Sequence, residues 1–147
     1  MPQSSSLSLH SLDLVGLLEQ SQIHKSSLIR ITGSSGLATL LWMCRRGYEQ
    51  VGYLRSGESC PHEDPDALIV AETCNELALQ RLLTGGPHVR EGGVLVVQSP
   101  LPAELGGDDP IHRCLGRFGY AVERCVRGAR RELHVARRLP IVSRRAA

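Results

Sequence analysis

Apolar and polar residues follow each other along the chain in short blocks that predict alternating strands and helices. Nearly continuous apolar runs, typical of strands buried on both faces of a parallel sheet, occupy residues 27–32, 50–54, 66–72 and 93–98. Segments with apolar residues at helical spacing lie at 11–20, 37–46, 75–83 and 111–118. The pattern therefore predicts an α/β fold built on a mostly parallel sheet.

The end of the pattern predicts a β-hairpin. Strands at 120–126 and 132–136 flank a short connection that contains Gly128, which is typical of an antiparallel pair. The chain is accordingly divided into an N-terminal tail and helix (1–26), an α/β domain (27–139) and a basic C-terminal tail (140–147).

Composition narrows the classes of protein. No apolar run approaches the roughly 18 residues of a membrane-spanning helix, and the start lacks the positive flank of a signal peptide. We therefore expect a cytoplasmic protein with no membrane partner. The cysteines form no close pairs, which predicts reduced thiols. They are Cys44, Cys60, Cys74, Cys114 and Cys125.

Charge is distributed unevenly, although the formal net charge is only +2. Residues from Arg124 onward contain eight arginines and a single acid, Glu132. This stretch is either a site for an anionic partner or a solvated strand face with a basic end. Aromatic residues make up only 3% of the chain, so no stacking platform for nucleic acid is expected.

A glycine-bearing turn joins the first strand of the sheet to its helix. Gly33-Ser34-Ser35-Gly36 follows strand 27–32 directly, and the helix continues to Gly47, which we expect to end it in the C′ position. Backbone N–H groups at such a helix N-terminus suit an anionic ligand, but a strand-turn-helix junction needs no ligand. Both interpretations remain open from the sequence.

Three segments in this order and spacing resemble class I S-adenosylmethionine-dependent methyltransferases. They are the strand, turn and helix at 31–42, the glycine pair and apolar strand at 88–97, and the closing hairpin at 119–138. The resemblance implies a Rossmann-like sheet with helices on both faces and a last strand inserted antiparallel between the fourth and fifth. It implies S-adenosylmethionine as the cofactor, with a small-molecule ligand. The residues it places at the cofactor are Thr32, Gly33, Ser34, Ser35, Gly36, Arg55 and Glu72.

The chain departs from the family pattern where the methyl donor would bind. The family has an acid two residues before three alternating glycines, and this chain offers Arg30 or Ile31 there, depending on the register. Arg55 follows the second strand, where the family has an acid that accepts from the ribose hydroxyls, and an arginine cannot accept. Residues 55–65 are too few to hold the family's next helix and edge strand. The expected fold therefore lacks one edge strand.

These departures predict a methyltransferase-like domain with a degenerate donor site, acting as a non-catalytic or weakly binding module. One alternative is a genuine small-molecule methyltransferase. Another is an NADP- or nucleotide-binding protein, since Thr32, Gly33 and Gly36 also resemble a dinucleotide-binding turn and Arg55 suits a 2′-phosphate. Against the latter, no Tyr-x-x-x-Lys is present.

No catalytic residue follows from the sequence. Several polar residues at strand ends are candidates for a pocket, with helix capping as the competing interpretation. They are Glu72, Asn75, Gln98 and Ser99. Cys60 and His62, combined with Cys74, His88 or His112, supply only one close ligand pair, so no metal site is expected.

The missing strand leaves 50–54 at the outer edge of the sheet. An unprotected edge pairs with other chains unless something covers it. The sequence is compatible with cover by the loop after it or by the N-terminal helix, and with a homodimer.

Overall fold

The computed structural model describes residues 14–55, 64–85, 88–101, 109–128 and 130–140, which form one six-stranded sheet flanked by four helices. In chain order the elements are α1 (Leu14–Gln20), β1 (Leu28–Thr32), α2 (Gly36–Arg45), β2 (Gln50–Tyr53), β3 (Ala67–Thr73), α3 (Glu76–Gly85), β4 (Val94–Pro100), α4 (Pro110–Arg117), β5 (Tyr120–Arg127) and β6 (Arg131–Arg138).

The strands lie in the order β2-β1-β3-β4-β6-β5. The neighbours among the first four strands are parallel, and β6 runs antiparallel between β4 and β5. This confirms the predicted α/β sheet and the inserted last strand. Within the described residues β2 is an edge strand, as expected for a sheet that lacks the family's next strand.

Most residues of the inner strands β3 and β4 are buried, and alternate residues point to opposite sides of the sheet. In β3, Ile69 packs toward α1 and α2, whereas Leu68 and Val70 pack toward α3 and α4. β4 repeats this division with Val96 on the first face and Val97 on the second. Two hydrophobic layers therefore cover the sheet, which explains why the strands read as continuous apolar runs.

The helices end close to their predicted limits. Gly47, with φ +91°, follows the end of α2 and confirms the expected glycine stop. In α1 the side chains of Leu14, Leu17 and Leu18 are buried in the first layer, while residues 11–13 of the predicted helix lie outside the described residues. None of the described helices is long and apolar enough to cross a membrane.

The hairpin strands are longer than the sequence predicted. β6 pairs with β4 from Arg137 opposite Val94 to Arg131 opposite Pro100. A shift in register between Val122 and Arg124 interrupts the pairing of β5 with β6. Pairing on both sides extends β6 beyond its apolar centre, which the apolar pattern could not show.

Candidate functional site

The residues predicted to hold a cofactor lie at the carboxyl edge of the parallel strands. The turn 33–36 follows β1, Arg55 follows β2, and Glu72 lies near the end of β3. Ligands of open α/β sheets bind outside this edge. The structure therefore brings the predicted positions to one place.

The turn after β1 lies directly on β3. Gly33 has φ +108°, and a Cβ built on it would be 2.9 Å from the carbonyl carbon of Ala71. A side chain at this position would strain the backbone and collide with the strand. Gly33 is thus required by the packing of the chain on itself.

Three successive N–H groups of the turn are bonded within the chain. The Ser34 N–H donates to Oε1 of Glu72 over 2.9 Å, and the Ser35 N–H donates to the Ala71 carbonyl over 2.9 Å. The Gly36 N–H donates to the Gly33 carbonyl over 3.0 Å. An anion at this turn would have to compete with each of these acceptors.

The ring of Tyr53, on β2, lies against the second glycine of the turn. A Cβ on Gly36 would be 2.4 Å from Cε1 of this ring, and the Tyr53 hydroxyl donates to the Gly33 carbonyl over 3.4 Å. The sequence pattern gives Tyr53 no role at the turn. Its position one residue before the buried Leu54, at the end of the second strand, was the available signal.

The remaining predicted residues serve the fold in several ways. Oδ1 of Asn75 accepts from the Ala78 N–H over 2.8 Å, which is helix capping. The buried Gln98 accepts from Arg131 over 3.2 Å. Arg55 is exposed beyond Leu54. Thr32, the last residue of β1, is buried.

Cys74, between Glu72 and α3, is not a ready nucleophile. Burial, with a smaller contribution from the charge of Glu72, raises the pKa of its thiol to about 11. A thiol that is protonated at neutral pH is a poor nucleophile. The candidate metal group built on Cys60 and His62 lies outside the described residues.

Asp66, the residue before β3, lies at the opposite edge of the sheet and connects neighbouring segments there. Burial alone would raise the pKa of Asp66, but hydrogen bonds from Arg90 and from the Leu28 N–H, with the Arg90 charge, hold it below its ordinary value. These contacts join β1, β3 and the segment before β4. The contacts of Asp66 therefore stabilise the fold and do not form part of a ligand pocket.

Comparison with known proteins identifies the fold. No family model and no curated protein sequence matches the chain. Among solved structures, the ribosomal protein L11 methylase from Lactobacillus delbrueckii subsp. bulgaricus superposes with a TM-score of 0.61 at 11% identity, covering 89% of this chain and 80% of that one. An S-adenosylmethionine-dependent methyltransferase from Aquifex aeolicus superposes with a TM-score of 0.51 at 12% identity, covering 88% and 92%.

The pyocyanin biosynthetic protein PhzM superposes with a TM-score of 0.54 at 17% identity, covering 90% of this chain and 56% of that one. The chain has a class I methyltransferase-like fold. The resemblance inferred from the three sequence segments is confirmed for the fold, and identities this low carry no activity with them.

Proposed function

We propose that this methyltransferase-like domain binds S-adenosylmethionine weakly or not at all and acts as a binding or assembly module. The observation that carries the proposal is the internal bonding of the turn after β1. Its Ser34, Ser35 and Gly36 N–H groups already have acceptors within the chain, and the Tyr53 ring lies on Gly36.

Breaking the internal hydrogen bonds of the turn to admit a ligand costs free energy, and this cost lowers the affinity for the ligand. A net hydrogen bond is worth about 1 kcal/mol, and each 1.4 kcal/mol corresponds to about a tenfold change in Kd. Displacing Glu72 from Ser34 and moving Tyr53 away from Gly36 would therefore weaken the binding of a methyl donor by roughly tenfold or more.

The end of β2 supports the same proposal. The family resemblance implies a carboxylate there that accepts from the ribose hydroxyls, and Arg55 offers only donors. β2 is also the outermost described strand, so no further described strand extends the sheet beside this position.

The partner we propose is a second copy of this chain, paired along β2. An edge strand carries unpaired N–H and C=O groups that a symmetric copy can satisfy. Leu37 and Leu41, 60% and 57% exposed, lie on α2, which packs against β2. The leucines of α1 are buried within the chain, so the proposed dimer uses β2 and α2 instead.

The donor site is tested by isothermal titration calorimetry and thermal shift with S-adenosylmethionine, S-adenosylhomocysteine, NADP and ATP. A ligand at 100 times its Kd stabilises a protein by about 2.7 kcal/mol, which a melting curve resolves readily. We expect no saturable heat and no shift for S-adenosylmethionine at submillimolar concentrations.

Two variants sharpen the measurement. Arg55→Asp restores an acceptor after β2, and Tyr53→Ala uncovers Gly36; we expect the combined variant to bind S-adenosylmethionine more tightly than the native chain. Arg45→Asp, at the end of α2, is the charge-matched control. Micromolar affinity in the native chain would overturn the proposal in favour of the methyltransferase, and saturable NADP or ATP binding would favour the nucleotide-binding alternative.

A further inference from the structure

Five side chains that commonly bind metal ions meet between α4 and the β5–β6 hairpin, apart from the turn after β1. We call them the histidine cluster: Asp109, His112, Cys125, Glu132 and His134. Asp109 caps α4 and His112 lies one turn further along it, while Cys125 and His134 are cross-strand partners. Two pairs of ligand-bearing residues therefore face each other.

The histidine cluster consists of two groups that share His134: ligand atoms of His112, Cys125 and His134 lie within 4.8 Å of one another, and so do those of Asp109, Glu132 and His134. Nε2 of His112 is 3.0 Å from Nδ1 of His134 and 3.6 Å from Oδ2 of Asp109, and Sγ of Cys125 is 3.6 Å from the same Nδ1. Zn–N bonds of about 2.0–2.1 Å and Zn–S bonds of about 2.3 Å place tetrahedral ligand atoms about 3.3–3.6 Å apart. Binding of one ion by all four residues would require side-chain shifts that bring Asp109 and Cys125, which belong to different groups, together.

The second nitrogen of His134 has the partners expected for a metal-bound imidazole. Nε2 is 2.8 Å from Oγ of Ser99 and 3.7 Å from Oε1 of Glu132. Histidine ligands usually donate their other N–H to an oxygen of this kind, which fixes the ring and leaves the first nitrogen for the ion. The Ser99 hydroxyl thus orients His134 with Nδ1 directed into the cluster.

The side chain of Glu132 is incompletely hydrogen-bonded without a bound ion. Its carboxylate is buried, and among the described residues Oε1 has no hydrogen-bond partner, while Oε2 contacts Arg127 over 3.3 Å. A buried carboxylate oxygen without a partner is costly. A cation bound to His134 would offset part of that cost, because its positive charge, carried in part by the imidazole ring, would attract the Glu132 carboxylate.

A serine nucleophile activated by His134 is the competing interpretation of the Ser99–His134 contact. Both residues are almost completely buried, so a substrate could not reach the hydroxyl. In contrast, Cys125 is exposed and His112 is partly exposed, which leaves a route for an ion from solvent. The accessible groups are therefore the ligands and not the serine.

We propose that the histidine cluster binds one Zn²⁺-type transition-metal ion through His112 Nε2, His134 Nδ1, Cys125 Sγ and Asp109 Oδ2. Imidazole and thiolate ligands select Zn²⁺ and related borderline or soft ions over Mg²⁺ or Ca²⁺. The ion would tie the N-terminus of α4 to both strands of the hairpin. The proposal differs from the absence of a metal site expected from the sequence and does not depend on the donor site.

The test uses the full chain, stripped of metal with a chelator and then titrated with Zn²⁺, Co²⁺, Cu²⁺ or Mg²⁺. Bound metal is counted by elemental analysis, and the melting temperature and the Co²⁺ absorption spectrum are recorded. We expect one equivalent of Zn²⁺ or Co²⁺, a higher melting temperature, a sulfur-to-cobalt charge-transfer band and no effect of Mg²⁺. Tighter binding of Cu²⁺ than of Zn²⁺ would be consistent with the same ligands, because the affinities of nitrogen and sulfur sites for divalent first-row metals are highest for copper.

Replacing the accessible residues Cys125 and His112 tests metal binding without disturbing the buried core. Cys125→Ser should abolish the sulfur-to-cobalt band, and both Cys125→Ser and His112→Gln should weaken Zn²⁺ binding at least tenfold. Cys44→Ser and His24→Gln, at exposed positions elsewhere, should bind as the native chain does. All variants should melt as the native chain does in chelator. Absence of stoichiometric binding, or equal binding in Cys125→Ser and His112→Gln, would overturn the proposal.

Discussion

The backbone N–H of Ser34 donates to the side chain of Glu72 over 2.9 Å, so the end of β3 holds the turn that follows β1. Replacing Glu72 with Ala removes the acceptor and should lower the free energy of unfolding by about 0.5–1 kcal/mol. Glu72→Gln, which keeps an acceptor oxygen, should lose less. Urea unfolding midpoints measure both, with Glu91→Ala as the control, and a native midpoint for Glu72→Ala would contradict the assigned contact.

Val96 lies in the middle of the sheet, since β4 pairs with β3 on one side and β6 on the other. This confirms the strand buried on both faces that the apolar run at 93–98 predicts. Val96→Asp should bury an unpaired charge and abolish soluble expression. Val96→Ala should fold with about 2 kcal/mol less stability. Arg124→Asp, exposed on the edge strand β5, is the control, and a Val96→Asp variant that melts like the native chain would contradict the burial.

Asp66 should make stability depend on pH in the acidic range. Its pKa lies below the ordinary value when folded, so its contribution is present above the unfolded pKa of about 3.9 and is lost as pH falls through the folded pKa. The difference in unfolding free energy between the native chain and Asp66→Asn should therefore be largest at neutral pH and shrink below about pH 4. Glu91→Gln is the control. A difference that stays constant with pH would contradict this assignment.

The β2 edge should mediate association. We expect size-exclusion chromatography with light scattering to give a dimer whose fraction rises with concentration, and Leu41→Glu to shift it toward monomer. Leu77→Glu is the matched control, because Leu77 is similarly exposed on α3, on the other face of the sheet. A monomer at every concentration would refute the proposed partner.

Deleting residues 1–20 would not test this association cleanly. The deletion would remove Leu14, Leu17 and Leu18, which are buried in the core layer on the α1 and α2 face. Loss of these side chains should destabilise the whole domain. A substitution on α2 leaves that layer intact and separates association from folding.

The sequence alone was sufficient for the elements and their order. Apolar runs and helical spacing are local signals, and Gly47 ends its helix through its own backbone freedom. The insertion of β6 between β4 and β5 was predicted by the resemblance to a family, since strand order depends on pairings between distant segments.

The tertiary structure decided what the turn and the hairpin can do. Whether the Ser34 N–H faces a ligand or Glu72 depends on the register in which β1 pairs with β3. The two strands are far apart in the sequence, so local patterns do not reveal this register. Likewise His112 and His134 meet only because α4 packs over the hairpin and β6 places His134 on that face. Composition and spacing determine which groups a chain carries, and the register of its strands determines which of those groups are neighbours.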